Sequence, residues 1–284
     1  MNFKKHKATK TLFIISFIIS IIIFVLLIII FSLSLKNITM KNSLNEILVD
    51  EEWILKLVGY FGGYAVIIVM VVTIIYVFIK FSNLNVTAIA HDIPVSEEQF
   101  PELLNFEIEC AKKLGLKKIP NLYVDPAGEE EERILGAKFE YDNILRIDAS
   151  EVYNTASEDY YVAKFTIARK LAAMYIGDYN IVLNAAIFFS HFIPILSQLN
   201  NRVMCYTCDK IAVELLNKET VIKALVTKYT GYYITPLVKK DVYIKNIDKI
   251  IEKKDVIFEN LMLDIPLAAY RLEAIIKDID GRLF

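Results

Sequence analysis

Two long, uninterrupted apolar runs dominate the first third of the chain. The first extends from Thr11 to Leu35 and the second from Val58 to Phe81. Because about 20 apolar residues, rising about 1.5 Å each, cross the hydrocarbon core of a bilayer, each run is long enough to span a membrane. Glycines at the start of the second run would let the two helices approach closely. The pattern predicts a transmembrane helical hairpin over residues 1–82.

The charges around these runs predict their orientation. Lysines precede the first run and Lys80 closes the second, whereas the connecting segment ends in Asp50, Glu51 and Glu52. The positive-inside rule then puts both termini and the main domain in the cytoplasm, as part of a multi-pass protein of the cell membrane. A signal peptide is the alternative, but the run exceeds the usual length of about 7 to 15 residues and no small-residue cleavage site comes after it.

The rest of the chain, residues 83–284, alternates short apolar stretches with amphipathic ones. Asn83 to Val95 is expected to be a linker, followed by a helix from Glu97 to Leu114 that Ser96 caps and Gly115 ends. Bounded by turn signals, short strands are predicted at three places, Asn121 to Val124, Ile134 to Phe139 and Ile144 to Ile147. They would form a small sheet.

Helices are predicted over most of the chain beyond these strands. They cover Tyr160 to Ile176, Asn201 to Leu216 and most of Lys218 to Ile279. The apolar segment Ile181 to Leu199 between the first two is interrupted by polar residues and Pro194. A single crossing there would place its flanking helices on opposite sides of the bilayer, so we expect a surface-embedded or core-packed segment, with a re-entrant hairpin as the alternative. The fold class is α+β, mostly helical.

Composition narrows the functional classes. Hydrophobic residues make up 55% of the chain and charged residues 23%, a balance that fits a membrane anchor carrying a soluble domain. The net charge of -2 gives no basic field for nucleic acid, so a nucleic-acid partner is not expected. Cys205 and Cys208 spell C-x-x-C, but their apolar neighbours favour a buried helix with reduced thiols.

Four segments succeed one another in an order that is known from a family of membrane enzymes. They are Ala111 to Val124, Phe165 to Asp178, Asn201 to Asp209 with the spacing Asn-Arg-x-x-Cys-Tyr-x-Cys-Asp, and Ile265 to Arg271 with an Ile-Pro-x-x-x-x-Arg spacing. Together with the two apolar runs, they resemble the M48 family of membrane zinc metallopeptidases over nearly the whole chain. The resemblance implies a zincin-like domain with a small sheet beside a peptide-binding groove.

The same resemblance implies that the zinc site is lost. Where the family has His-Glu-x-x-His, this chain has Arg169, Lys170 and Ala173, and where the family has its third ligand, a glutamate, it has Cys205. A protonated guanidinium and a methyl group offer zinc no lone pair. The histidine of the family's His-Pro motif is replaced by Ile265. No zinc cofactor is therefore expected, and the vestigial site would comprise Arg169, Lys170, Ala173, Arg202, Cys205, Asp209 and Arg271.

Asp209 is the acidic group that this vestigial site retains. In active relatives the equivalent aspartate orients a ligand histidine, and a buried carboxylate without a partner would be unfavourable. We expect Arg169 or Lys170 to supply the positive charge that zinc once supplied. In the alternative, Arg202 pairs with Asp209 and Arg169 extends to solvent.

These observations favour a catalytically inactive pseudopeptidase. It would bind or scaffold a peptide or a membrane-protein partner at the cytoplasmic face of the lipid bilayer. One alternative is a metallopeptidase with relocated ligands, for which His191 could join Cys205, Cys208 and Asp209, since His6 and His91 lie far from them in the sequence. A non-metal hydrolase that uses Lys170, or a purely structural membrane protein, would also be compatible with the sequence.

Overall fold

A three-stranded sheet and nine α-helices make up the parts of the chain that the computed structural model describes, residues 6–43, 90–126, 144–176 and 193–283. The strands are β1 (Ile93–Pro94), β2 (Asn121–Asp125) and β3 (Ile144–Asp148). The helices are α1 (Ala8–Ser43), α2 (Pro101–Leu114), α3 (Ala149–Thr155), α4 (Tyr161–Ile176), α5 (Pro194–Leu215), α6 (Lys218–Thr230), α7 (Lys240–Ile250), α8 (Lys254–Met262) and α9 (Ala268–Lys277). The α+β, mostly helical class is confirmed.

The sheet has the order β1-β2-β3. Strand β2 pairs in parallel with β3, with Leu122 opposite Leu145, and antiparallel with β1, with Ile93 opposite Val124. The two longer strands confirm the prediction, whereas β1 falls in the segment expected to be a linker. Pro94 is compatible with this short strand because β1 lies at the edge, where a missing amide hydrogen is tolerated. The predicted strand Ile134 to Phe139 lies outside the described residues.

Helix α2 begins four residues later than the sequence predicts. Ser96 does not cap it, because its hydroxyl instead accepts a hydrogen bond from the Gln99 amide in a tight turn. Phe100 then adopts a left-handed conformation (φ 59°), and Pro101 opens the helix at a position where its missing amide hydrogen does no harm. The predicted end is confirmed, because Gly115 takes a left-handed conformation (φ 70°) there.

Helix α4 lies at the centre of the core. It packs against α2, α3, α5, α6 and β3, and its apolar residues are buried on every side. Phe165, Ile167 and Leu171 are fully buried. A helix with apolar residues on several sides is stable in this position because neighbouring elements cover most of its surface. Its start at Tyr161 is one residue later than predicted, and the described part of the helix extends to Ile176.

Helix α5 starts at Pro194, so the end of the predicted separate segment Ile181 to Leu199 belongs to this helix. Pro194 occupies the first turn, where proline is favoured. Residues 177–192 lie outside the described part of the chain. The long helix α5 therefore reaches seven residues further toward its N-terminus than the sequence predicts.

Helix α1 is a single helix of 36 residues whose first half packs along α5. Leu12 meets Leu196 and Val203 in a small apolar cluster, and Asn200 Nδ2 donates to the Ser16 hydroxyl at 2.8 Å. Most other apolar side chains of α1 up to Ile29 are exposed. Within the described residues, residues 8–29 are the one stretch that is long and apolar enough to cross a membrane. The second predicted span, Val58 to Phe81, lies outside them.

Candidate vestigial active site

Asp209 lies at the meeting point of α4, α5 and α9. The Nε atom of Arg169 on α4 is 2.8 Å from Oδ1 of Asp209. Arg271 on α9 binds the same carboxylate with two nitrogens, Nε at 2.8 Å from Oδ2 and Nη2 at 2.9 Å from Oδ1. All three side chains are buried. The predicted ion pair between α4 and Asp209 is therefore present, and it is formed by Arg169.

Further contacts fix both guanidinium groups. Arg169 Nη2 donates to the Sγ atom of Cys205 at 3.4 Å, and its guanidinium lies 5.5 Å from the centre of the Phe165 ring. Arg271 Nη1 donates to the Tyr229 hydroxyl on α6 at 2.7 Å. A bidentate arginine and carboxylate pair is among the strongest charge-assisted interactions in proteins. The site is thus a buried, cross-linked junction of four helices.

Two of the predicted residues have other roles. Arg202 donates to the main-chain oxygens of Leu263, at 3.0 Å from Nη2, and of Leu283, at 2.8 Å from Nη1. The alternative in which Arg202 pairs with Asp209 is therefore wrong, because this side chain is held at the C-terminal segment. Ala173 is buried in the core against neighbouring helices. The sequence did not predict that Arg271 would be the bidentate partner.

Lys170 points toward the sheet. Its Nζ atom donates to the main-chain oxygen of Arg146 on β3 at 2.6 Å. Burial and, to a smaller extent, the nearby Lys228 ammonium lower the pKa of this amine to about 7, while the Asp125 carboxylate opposes the shift. A lysine that titrates near neutrality could act as a base, yet its proton-bearing atom is already engaged with a strand carbonyl.

A second group of ion pairs links the strands to one another and links two helices. Arg146 Nη2 lies 2.9 Å from Oδ1 of Asp92 and 3.1 Å from Oδ2 of Asp125. Lys228 on α6 lies 2.7 Å from Glu151 on α3. No sequence signal indicates these pairs, because their members are far apart along the chain and belong to none of the recognised motifs. The Arg146 guanidinium thus joins β3 to β2 and to the segment that leads into β1, and Lys228 joins α6 to α3.

The residues at the family's metal-binding positions do not fit a zinc ion. Cys205 is the one member of that set with a suitable donor atom, and it lies against the Arg169 guanidinium. A dication placed there would be repelled by the buried Arg169 guanidinium, and the nearby Asp209 carboxylate is already bound by both arginines. Within residues 6–43, 90–126, 144–176 and 193–283 there is no group of three or more His, Cys, Asp or Glu side chains that could hold a metal. His191, the proposed relocated ligand, lies outside these ranges.

Comparisons with known proteins give no match: no family model matches the chain, and neither a curated protein nor a solved structure matches it. The likeness to the M48 family consequently depends on the motifs of the sequence alone. The structure adds how the residues of those motifs are arranged around Asp209.

Proposed function

We propose that this chain is a membrane-anchored pseudopeptidase of M48 type. It would bind or scaffold a peptide or membrane-protein partner at the cytoplasmic face and would hydrolyse no peptide bond. The observation that carries the proposal is the junction of Arg169, Asp209 and Arg271. At the position where the resembling family holds a metal, two guanidinium groups neutralise and enclose the retained aspartate.

The chemistry of this junction supports a binding role over hydrolysis. Metal-dependent hydrolysis needs a cation with an open coordination position and a general base that reaches the bound water. Here the glutamate position is Lys170, which engages the strand carbonyl of Arg146, and the carboxylate of Asp209 is already bound by both arginines. These arginine and aspartate side chains keep α4, α5 and α9 packed together. A peptide-binding surface on these helices could therefore persist without catalysis.

The position of α1 supports the membrane anchor. Its exposed apolar surface would be unfavourable in water and favourable in lipid. Contacts at its N-terminal end also support the anchor: the His6 amide donates to the Thr207 hydroxyl, and His6 Nε2 lies 3.1 Å from the Gly281 oxygen. A signal peptide that is removed would break these contacts, so they favour a retained helix over a cleaved one.

Connectivity supports the multi-pass arrangement. The helix starts beside the domain at His6, and the chain is again part of the domain at β1, which pairs with β2. If α1 crosses the bilayer, the chain must cross back within residues 44–89 to reach β1. Those residues contain the apolar run Val58 to Phe81 predicted from the sequence. Both termini would then lie on one side, which the lysine pattern assigns to the cytoplasm.

The test is the metal content and peptidase activity of the purified full chain, compared with a reverted variant. The reversion combines Arg169→His, Lys170→Glu, Ala173→His and Cys205→Glu, which would restore the family's ligand set. We expect no stoichiometric zinc and no hydrolysis in the parent, and zinc binding in the reverted chain. Stoichiometric zinc in the parent, lost together with peptidase activity on Cys205→Ala, would instead establish a metallopeptidase with relocated ligands.

A further inference from the structure

Helices α1 and α5 run antiparallel. From His6 to Ser16 the chain advances by ten residues, while its partners on α5 go back from Thr207 to Asn200. Leu12 and Val203 lie between these polar links, and Leu196, in the same apolar cluster, lies beyond Asn200 toward the start of α5. The first turns of α5 therefore lie beside α1 residues further from His6, and the later turns of α5 lie beside α1 residues closer to His6.

The length of the apolar run sets the depth of these turns. About 20 residues fill the hydrocarbon core, so counting back from Leu35 places the near boundary close to Ser16. Asn200 lies at that level, because it donates to the Ser16 hydroxyl. Ile195 is five residues earlier on α5 and, at about 1.5 Å per residue, lies about 7 Å deeper. The first turn of α5 would then be inside the apolar layer.

The C-terminal end of α8 is attached to the same place. Gln198 Nε2 on α5 donates to the main-chain oxygen of Met262 at 3.0 Å. Ile195 is 68% exposed, Phe258 60% and Met262 56%, although all three are large apolar side chains. Phe258 and Met262 are four residues apart and share a face of α8. We name Ile195, Phe258 and Met262 together the α5–α8 tip.

We propose that the α5–α8 tip inserts into the same bilayer that α1 crosses, so that the domain is held at the membrane by a second, non-spanning contact. The inference rests on the membrane anchor of the proposed function. Lipid is favoured over a protein partner because α5 packs side by side with α1. This packing fixes the depth of Ile195 in any bilayer that α1 crosses. An amphipathic edge of this kind binds at the boundary of headgroups and acyl chains.

The charges near the tip are compatible with this position. Lys254 precedes Phe258 by one turn on the same face and is exposed, as is Glu259 beside it. A lysine at this distance can extend its ammonium to the phosphate layer while its stem remains among apolar groups. The exposed acidic residues Asp255 and Glu259 each lie within one turn of Phe258 or Met262, so in this position their carboxylates must reach the headgroup layer or water at the edge of the tip.

Tryptophan fluorescence in brominated lipid tests the proposal. Trp53 is the one tryptophan in the chain, so Trp53→Phe provides a dark background for the full-length protein. Phe258→Trp then reports on the tip, with Ile195→Trp as an independent second position. The matched control is Tyr153→Trp on α3, because Tyr153 is 81% exposed and lies on a helix that packs against β2, β3 and α4. The variants are reconstituted in vesicles with bromine on the upper acyl chain.

We expect brominated lipid to quench most of the emission at the tip positions and little of it at the control. Aqueous iodide should give the reverse order. Equal iodide quenching at all three positions in membrane-bound protein would overturn the tip proposal and leave the anchor intact. Shielding from iodide without bromine quenching would show that protein covers the tip, which also overturns it. Protein that does not sediment with the vesicles would contradict the anchor itself.

Discussion

Asp209 is a buried acid that two arginines from neighbouring helices bind. A zinc ion bound to protein ligands neutralises buried acidic groups and cross-links helices. Here Arg169 and Arg271 do both with hydrogen bonds, joining α4 and α9 to α5. A buried ion pair contributes little net stability by comparison with a well-packed apolar core, since each charge loses its hydration. Breaking such a pair on one side is much more damaging, and this asymmetry leads to the first prediction.

Asp209→Ala should lower the free energy of unfolding by about 3 to 5 kcal/mol, because two buried guanidinium groups lose their carboxylate. Urea unfolding followed by circular dichroism measures the change. The control is Asp248→Ala on α7, whose carboxylate lies 2.9 Å from the exposed Lys277 ammonium and should contribute less than about 1 kcal/mol. Equal effects of the two substitutions would show that the buried junction does not support the fold.

Glu107 on α2 predicts a pH dependence of stability. It is fully buried, both of its oxygens lack a hydrogen-bond partner among the described residues, and burial raises its pKa from 4.5 to about 8. Between these values the folded state keeps a proton that the unfolded state has released. Stability therefore falls as pH rises through this range, by at most about 1.4 kcal/mol per pH unit.

Glu107→Gln should remove this dependence, so the variant gains stability over the parent at pH 8 but gains little at pH 5. Thermal unfolding at both values measures the difference, and comparing variants cancels the titration of other groups. Glu102→Gln is the control, because Glu102 is exposed in the first turn of the same helix. A parent and Glu107→Gln variant with parallel pH profiles would indicate that the carboxyl is solvated or paired.

The pairing of Arg169 with Asp209 could be predicted from the sequence because both residues fall in segments that resemble family motifs of one site. The bidentate role of Arg271 could not be. Arg271 is 62 residues from Asp209 in the sequence, and local spacing does not indicate which of the nearby arginines and lysines will reach the carboxylate. Asp92 and Arg146 were missed for the same reason, since a salt bridge between distant segments is a property of tertiary packing.

At the level of elements, the contact between the start of α1 and the end of the chain was not foreseen. The sequence places His6 in a basic tail, yet the residue is buried. Its Nδ1 accepts from the Ala8 amide at 3.1 Å, which assigns the proton to Nε2, the atom that lies 3.1 Å from the Gly281 oxygen. The His6 ring also stacks on Tyr206 at 6.1 Å between centroids. The two ends of the chain thus form one packed unit on α5.

Gly281→Ala should loosen this unit, because an added Cβ would overlap the Tyr206 ring, a rigid and buried neighbour. Displacing the C-terminal segment removes the acceptor of His6, so the N-terminal end of α1 should detach. We expect trypsin to cleave faster after Lys7 and Lys10 in the membrane-bound protein, as intact-mass analysis would show. Tyr153→Ala serves as the control, and unchanged cleavage in Gly281→Ala would indicate that the segment shifts without releasing His6.

Element boundaries show where local patterns suffice. Strands β2 and β3 and helix α4 agree with the sequence because alternation or continuous burial determines them locally. The start of α2 does not agree. Ser96 is a residue type that often caps helices. The helix nevertheless starts at Pro101, after the left-handed Phe100, and capping preferences do not predict this start. The edge strand β1 is too short for a pattern, and its pairing with β2 defines it.

At the scale of the whole molecule, the contact of His6 with Gly281 constrains topology. Both residues must lie on one side of any membrane that α1 crosses, and the described helix, at about 1.5 Å per residue, is about 54 Å long. That length exceeds the hydrocarbon core of about 30 Å, so its far end would emerge on the opposite side. A position shortly after Ser43 and a position in the main domain should therefore be accessible from opposite faces.

Labelling with a membrane-impermeant maleimide tests this arrangement. Cys110, Cys205 and Cys208 are buried, so an introduced cysteine should be the main target in the folded protein. In intact cells that express the full chain, Asn45→Cys should react, whereas Tyr153→Cys should react only after the membrane is permeabilised. Labelling of Tyr153→Cys in intact cells would reverse the proposed orientation. If neither variant reacts before permeabilisation but both react afterwards, α1 does not cross the membrane, and the second crossing within residues 44–89 is then no longer required.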